Sequence, residues 1–599
     1  MSDRRIIAIL GPSAVALALV AAGAFMDNYW RYVMSLTAEA LVVGLALAML
    51  VGYARCVSLA TGAMGALGAY AAALVVIHLE LPFLLAIIAG GIAGAIGGFA
   101  LAVPAVRFRG HNLAMVTLVF QMVVIIVIRE SSWLTGGAEG LTIPPVSVLG
   151  LDYGDAFVGL VVSGVVCAAI LLPLAIVLDG FFGKNLRAIA ANEVAARAYG
   201  IRIEHHLVAA FTLSSAAIAA AAALAAPHFR IIDPETFGIH HSIFALAYPI
   251  VGGLNSLWGG IVGGGVMRIA PEVLRPIADY IQLILAVIVI LTILFFKGGL
   301  VDLFALLWRA SGLGGKRAAT GEAQASEPPA SAPAAPAAPR GEGPPALLAR
   351  GIVKRYGALT AVDHVDLTVE AGALHGVMGP NGAGKTTLFN AVTGFIEADE
   401  GEVRLFGEDA RKGRLEDRVS VGITRTFQHV AIFPTLTCLD NVVIGLGRNA
   451  IGSVLSRSFD RSLGGGATRE ERERARWALD AVGIGPLAGL RASELSLGNQ
   501  RRLEIARAIV SRPRLILLDE PVSGVSHNEV ERIVALLKRL NAELGATMLV
   551  VEHNIGFLAE LCDRISVMAE GRIIAEGAPR DVVSRAEVRR IYFGETEAA

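Results

Sequence analysis

The chain has 599 residues, more than a single domain usually holds. Hydrophobic residues make up 55% and charged residues 17%, well under the roughly one quarter of a soluble domain, and the mean hydropathy is +0.62. A net charge of −1 gives no electrostatic footprint for nucleic acid, and Cys56, Cys167, Cys438 and Cys562 form no C-x-x-C pair, which argues against a disulfide framework and a zinc site.

Charges are sparse before residue 300 and frequent after 350. The apolar start Ile6–Phe25 is longer than the roughly 7–15-residue core of a signal peptide, so it reads as a first transmembrane helix with a cytoplasmic start. Further stretches near the spanning length of about 20 residues lie at 32–53, 57–79, 82–103, 111–129, 156–178, 207–226 and 277–297. Arg4 and Arg5, Arg107 and Arg109, and Lys184, Arg187, Arg197 and Arg202 mark three cytoplasmic regions by the positive-inside rule. Another apolar stretch, 242–267, is broken by Pro249 and by glycines at 252, 253, 259, 260 and 263–265. Such breaks at membrane depth need protein or a cavity around them, so this stretch is expected to be re-entrant or a pair of half-helices. The count is then about eight transmembrane helices plus a re-entrant segment, with both ends of the domain inside. His78, Gln121, His241 and Gln282 are the polar groups in these stretches, each read as packing or interface before contact with a solute.

Residues 1–310 are thus expected to be an α-helical membrane domain, in contact with lipid. Residues 311–345 read as a Pro/Ala-rich linker, extended and semi-rigid around Glu327–Arg340. Residues 346–599 read as an α/β domain, in which Ser456–Glu470 is a glycine-rich, then charged, surface insertion.

The α/β domain carries a phosphate-binding loop: Gly379, Pro380, Asn381, Gly382, Ala383, Gly384, Lys385, Thr386 and Thr387 fit G-x-x-x-x-G-K-[ST]. The apolar run Leu374–Met378 precedes it like a strand, and Leu388–Val392 follows like a helix. Glycine N–H groups would surround phosphate oxygens, Lys385 would reach the β- and γ-phosphates, and Thr386 would ligate Mg²⁺. Leu515–Glu520 is an apolar strand ending in two carboxylates. Asp519 is placed to hold Mg²⁺, usually through water, and Glu520 to polarise the attacking water. ATP and Mg²⁺ are the expected ligands.

Downstream, Leu495-Ser-Leu-Gly-Asn-Gln500 opens a helix that runs on through Arg501–Arg507. This run resembles the signature motif of ABC-transporter ATPases. The resemblance implies that Ser496, Leu497, Gly498, Asn499 and Gln500 act on ATP held by a partner ATPase. It also makes Gln428 the Q-loop residue, which senses Mg²⁺ and meets the membrane domain. His553 matches the switch histidine that contacts γ-phosphate in catalysis, and Tyr356 the aromatic that stacks on adenine. Leu497 and Asn499 depart from the commonest signature, and Ser526 stands where Asp or Asn is usual in the D-loop.

In finer detail the runs Lys354–Val362, Ser496–Ala508 and Ala569–Gly577 look like the LivG branch of branched-chain amino-acid importers. Leu134–Leu141, Leu186–Gly200 and Gly252–Gly259 look like the LivM-type permease of the same systems. The resemblance implies a fused permease and ATPase in a bacterial inner membrane, driving solute uptake. Its implied partners are a second, LivH-like permease, a second, LivF-like ATPase and a periplasmic binding protein, a homodimer being the other arrangement. It also implies that the run 184–204, with Glu193 and Arg197, is a coupling helix docking near Gln428. Leucine-like amino acids, urea, and aromatic or other carboxylates are carried by related systems. An ABC exporter half and a membrane-anchored regulatory ATPase are the alternatives, the first disfavoured by short cytoplasmic loops.

Overall fold

The structure, a computed structural model, describes residues 3–296, 298–310, 343–410, 416, 418, 421–447, 467–525 and 527–593. Within them the chain forms two compact units. One holds residues 3–190 and 203–310, and the other holds 191–202 with everything described from 343 onward.

The first unit is helical: α1 (Asp3–Gly23), α2 (Asn28–Leu47, continued by a π-helical turn to Tyr53), α3 (Thr61–His78), α4 (Phe83–Ala105), α5 (His111–Glu130) and α6 (Ala156–Asp179). Helix α7 (Glu193–Ala198) belongs to the other unit. The first unit resumes with α8 (Ile203–Phe229), α9 (Ile239–Gly252), α10 (Leu257–Val273) and α11 (Ile281–Phe295). Among the described residues, seven helices, α1–α6 and α8, are long and apolar enough to cross a membrane. They coincide with the first seven stretches read from the sequence. The eighth stretch differs: only 15 of its residues, Ile281–Phe295, form α11. Residues Arg275–Tyr280 are a 3₁₀ segment kinked at Ile277. The non-helical backbone at Ile277 (φ −119°, ψ 46°) accounts for the late start.

The stretch 242–267 is a pair of helices, α9 and α10, joined by Gly253–Ser256, with Gly253 at a φ of +127°. Its glycines are there for contact. A Cβ on Gly263 would strike the carbonyl of Tyr248 in α9, and one on Gly260 would strike that of Gly44 in α2. Backbones therefore meet directly, as small residues permit between membrane helices. Helix α10 runs antiparallel along α2: Gly260 faces Gly44, Gly264 faces Ala40, and Glu272 accepts a hydrogen bond from Tyr29. Gly260→Val is expected to destabilise this unit by about 1–3 kcal/mol through overpacking, seen as a lower thermal midpoint of the purified chain.

Polar groups in the first unit are mostly packing groups. Gln121 Nε2 donates to the carbonyl of Phe237 (2.6 Å), and its Oε1 accepts from the N–H of Ala63. His241 lies against Phe237, and His78 is exposed at the end of α3. The side chain of Gln282 lies outside the described residues. Glu39, passed over in the sequence, is buried midway along α2, 3.5 Å from Ser163 Oγ and 4.0 Å from His228 Nε2.

The second unit has two sheets. β1 (Leu347–Tyr356), β2 (Leu359–Val369), β4 (Glu400–Leu405) and β5 (Glu408–Asp409) form an antiparallel sheet in the order β2-β1-β4-β5. The other sheet has the order β6-β7-β8-β3-β9-β10, from β3 (Leu374–Met378), β6 (Ile423–Arg425), β7 (Leu515–Asp519), β8 (Thr547–Val551), β9 (Arg564–Ala569) and β10 (Arg572–Gly577). All its pairs are parallel except β9–β10. Every residue of β3, β7 and β8 is buried, as near-continuous apolar runs require in a sheet covered on both faces. One core joins the two sheets through Leu347, Val365, Val377, Phe389, Leu517 and Leu549. Three helices matter below: α12 (Lys385–Thr393), α13 (Arg469–Ala481) and α14 (Leu497–Ile509). The charged end of the expected insertion is not loop. Thr468 caps α13 in a capping box with Glu471, so Arg469 and Glu470 are helical. Residues 456–466, nearly all of the linker, and Ser526 lie outside the described residues.

Candidate functional site

Because β6, β7, β8 and β3 are parallel neighbours, their C-terminal ends deliver four loops to one edge of the sheet, where ligands bind in open α/β folds. These loops carry Thr426–Gln428, Asp519–Glu520, Glu552–His553 and Gly379–Thr387.

The loop after β3 turns on Gly382 and Gly384, at φ of +84° and +92°, and enters α12 at Lys385. A Cβ on Gly384 would strike the carbonyl of Ala361 in β2, so the hairpin that ends at Tyr356 runs beside the loop. Lys385 is buried, and its Nζ donates to the carbonyls of Gly379 (2.6 Å) and Pro380 (2.9 Å). Burial lowers its pKa, opposed by the carboxylates of Glu520, Asp519 and Glu552. Thr386 and Asn381 are exposed. An inward-held cation, left-handed glycines and exposed N-terminal groups of a helix fit a polyphosphate.

Asp519 ends β7, with only 3% of its side chain exposed. Burial raises its pKa, against the pull of Arg425. Glu520 has a φ of +45°, unusual for a residue with a side chain, and its N–H donates to Val551 (2.9 Å). His553 Nδ1 stands 3.9 Å from Glu520 Oε1, and its side chain is exposed. The neighbour that positions them is Glu552, which the sequence reading missed. Its buried carboxylate accepts the N–H groups of His553 (2.9 Å), Asn554 (3.2 Å) and Val522 (3.4 Å). Glu552→Ala would strand those donors and is expected to cost at least about 2 kcal/mol, measured by urea unfolding of the full chain.

The signature run starts α14. Ser496 is its N-cap, accepting from Asn499 N–H (3.4 Å), and Gln500 Nε2 donates to Leu495 O (3.0 Å). Leu497 is exposed, and Gly498 passes close to Glu529, where any Cβ would clash. Among the described residues, no hydrogen bond joins 496–500 to Lys385, Asp519 or Glu520. The same helix braces the loop of Gln428. Arg501 donates to the carbonyls of Phe427 (3.0 Å) and Gln428 (2.7 Å), and Glu504 accepts from Phe427 N–H (3.1 Å). The Gln428 side chain is exposed.

Residues 191–202 complete this unit. Asn192 caps α7, and Arg197 pairs with Glu416 at 2.5 Å. Tyr199 is fully buried beneath Arg507, whose guanidinium lies 4.5 Å from the ring centroid and whose Nη2 donates to Ala431 O (2.7 Å). Tyr199 Oη donates to the carbonyl of Arg425 (3.1 Å), three residues before Gln428.

Residues 30–296 match the permease component of branched-chain amino acid transport systems, and residues 362–523 match the ABC transporter family. The branched-chain amino acid transport ATP-binding protein BraF of Pseudomonas aeruginosa is 36% identical over 251 residues, covering 98% of that protein and 42% of this chain. This chain belongs to the branched-chain amino-acid ABC transporters. LivG of Escherichia coli is 33% identical over the same shares. A solved ATP-binding cassette of an ABC transporter in its ADP conformation is 33% identical, covered over 99% of its length and 42% of this chain, with a TM-score of 0.37. In this family member, permease and ATP-binding parts share one polypeptide. The second unit is an ABC ATPase domain that binds ATP, and the first is a multi-pass membrane domain.

Proposed function

We propose that the chain imports a small polar solute, a branched-chain or related amino acid, driven by its own ATP hydrolysis. The observation that carries this reading is the membership of residues 191–202 in the ATPase unit: a loop of the permease sequence is built into the domain that binds ATP. In this reading Lys385 and the loop N–H groups hold the phosphates, and Tyr356 stacks on adenine. Thr386, Asp519 and Gln428 would hold Mg²⁺, which supplies charge neutralisation at the phosphates. Glu520 accepts the proton of the attacking water, and His553, against the Glu520 carboxylate, orients it toward the γ-phosphate. Residues Ser496–Gln500 begin a helix whose N-terminus is suited to the γ-phosphate of a partner's ATP, so two ATPase domains assemble around two nucleotides. One permease unit supplies half of a pathway, and a second permease, a second ATPase and a periplasmic binding protein complete the system in a bacterial inner membrane.

Residues 183–206 then act as the coupling segment, with α7 as its docked helix and Arg197–Glu416 and Tyr199–Arg507 as its anchors. The test is uptake of labelled leucine by an uptake-deficient bacterial host expressing the chain with its partner subunits. Accumulation competed by isoleucine and valine, and not by urea or benzoate, supports the amino-acid reading. Efflux of preloaded solute in place of uptake would support the exporter alternative.

A further inference from the structure

Arg425 ends β6 and touches three elements at once. Its Nη1 donates to Asn390 Oδ1 (2.6 Å) and Thr393 Oγ1 (3.1 Å), at the end of α12 opposite Lys385. Its Nη2 donates to Asp519 Oδ2 (3.2 Å). Its carbonyl accepts the hydroxyl of Tyr199. The guanidinium lies 4.5 Å from the ring centre of Phe389 and 5.3 Å from that of Phe427, and the residue is 8% exposed.

We propose that Arg425 is a positioning residue: it sets the Asp519 carboxylate toward the metal of bound ATP, and it links that carboxylate to the seating of Tyr199. The inference rests on the reading above that Asp519 faces the metal. Holding one oxygen of a carboxylate fixes where the other points. A lysine keeps the charge at this place but not the fork that holds Asp519 and α12 together. The backbone half of the link has a mechanical basis, because β6 is an edge strand of three residues paired, among the described residues, to β7 alone. Its end is therefore anchored by few ladder bonds, and the Tyr199 hydroxyl on the Arg425 carbonyl adds to the hold of the Arg425 side chain and of Arg501 and Glu504 on the residues that follow. A shift of α7 would move that carbonyl, and the side chain on the same residue would move the carboxylate.

The test uses the full chain in lipid nanodiscs, with Arg425→Lys, Tyr199→Phe and the double variant. Two affinities are read: Mn²⁺ for the ATP-loaded protein, by electron paramagnetic resonance, and ATP in EDTA, by equilibrium dialysis. Loss of one charge-assisted hydrogen bond predicts Mn²⁺ binding about tenfold weaker in Arg425→Lys. Loss of the Tyr199 hydroxyl, which bonds the Arg425 carbonyl and also meets Arg507, predicts it about threefold weaker in Tyr199→Phe, with the double variant no weaker than Arg425→Lys, because the two act in series. Metal-free ATP binding should stay within about twofold of wild type in all three. Unchanged Mn²⁺ affinity in Arg425→Lys, or an equal loss of metal-free ATP binding, would make Arg425 a brace of the fold only and overturn the proposal. Wild-type Mn²⁺ affinity in Tyr199→Phe removes the link to Tyr199, and should Arg425→Lys fail to fold, this variant decides alone. A wild-type chain that binds ATP but takes up no Mn²⁺ would overturn the reading of Asp519 and this inference with it, while normal wild-type Mn²⁺ binding with unchanged variants overturns this inference alone.

Discussion

Glu520→Gln is expected to bind ATP with near-normal affinity and to hydrolyse it about 10²–10⁴ times more slowly, the range a general base contributes. The amide keeps the size of the side chain and the hydrogen bond from Glu520 N–H to Val551, so the strained turn at φ +45° should survive. What is lost is the acceptor for the proton of the attacking water. Stalled hydrolysis should trap ATP between two ATPase domains, visible as a larger assembly in size-exclusion chromatography. Hydrolysis at the wild-type rate would remove Glu520 from the catalytic role and leave His553 as the group to examine.

The second large effect is expected at Tyr199. Its ring is fully buried between Arg507 and the strand end at Arg425. Tyr199→Ala removes that packing, at a cost of about 3–5 kcal/mol for an aromatic in a core. The loss falls on the docking of residues 191–202 and not on the phosphate loop. Transport should therefore fall at least about tenfold while metal-free ATP affinity stays within about twofold, since the path from Tyr199 runs through Arg425 to Asp519 and not to the phosphate loop. Glu193→Ala with Arg197→Ala should act in the same direction and more weakly, because the Arg197–Glu416 pair is partly exposed on the arginine side. Paired assays of ATP binding and solute uptake on the same preparations separate the two outcomes.

Much of this site was legible in the chain because its parts are local patterns. The loop 379–387 sits between the strand Leu374–Met378 and a helix, as its flanking runs require, and Asp519 ends the five-residue apolar strand that announced it. Groups that hold these parts together were not legible. Arg501, Glu504 and Arg507 lie within the signature helix, and Arg425 and Glu552 beside Gln428 and His553, but no pattern marks them, because partners such as Phe427, Ala431, Asp519 and Val522 are 30 to 94 residues away. A charged residue buried by folding looks like any surface charge until its acceptors are known. Glu39 was missed in the first unit for the same reason. The helical stretches were legible from length and hydropathy, and α9 with α10 from their glycines. The late start of α11 was not legible, because no residue type in the run announces the non-helical backbone at Ile277.

The most direct measurement is coupling itself. Proteoliposomes containing the chain with its partner subunits, loaded with ATP inside and given binding protein and labelled leucine outside, report accumulated solute and phosphate released in one sample. The account predicts leucine accumulation that depends on ATP, stops in Glu520→Gln, and falls in Tyr199→Ala while phosphate release continues. Accumulation that is indifferent to ATP, or ATP hydrolysis with no movement of any branched-chain amino acid, would contradict it.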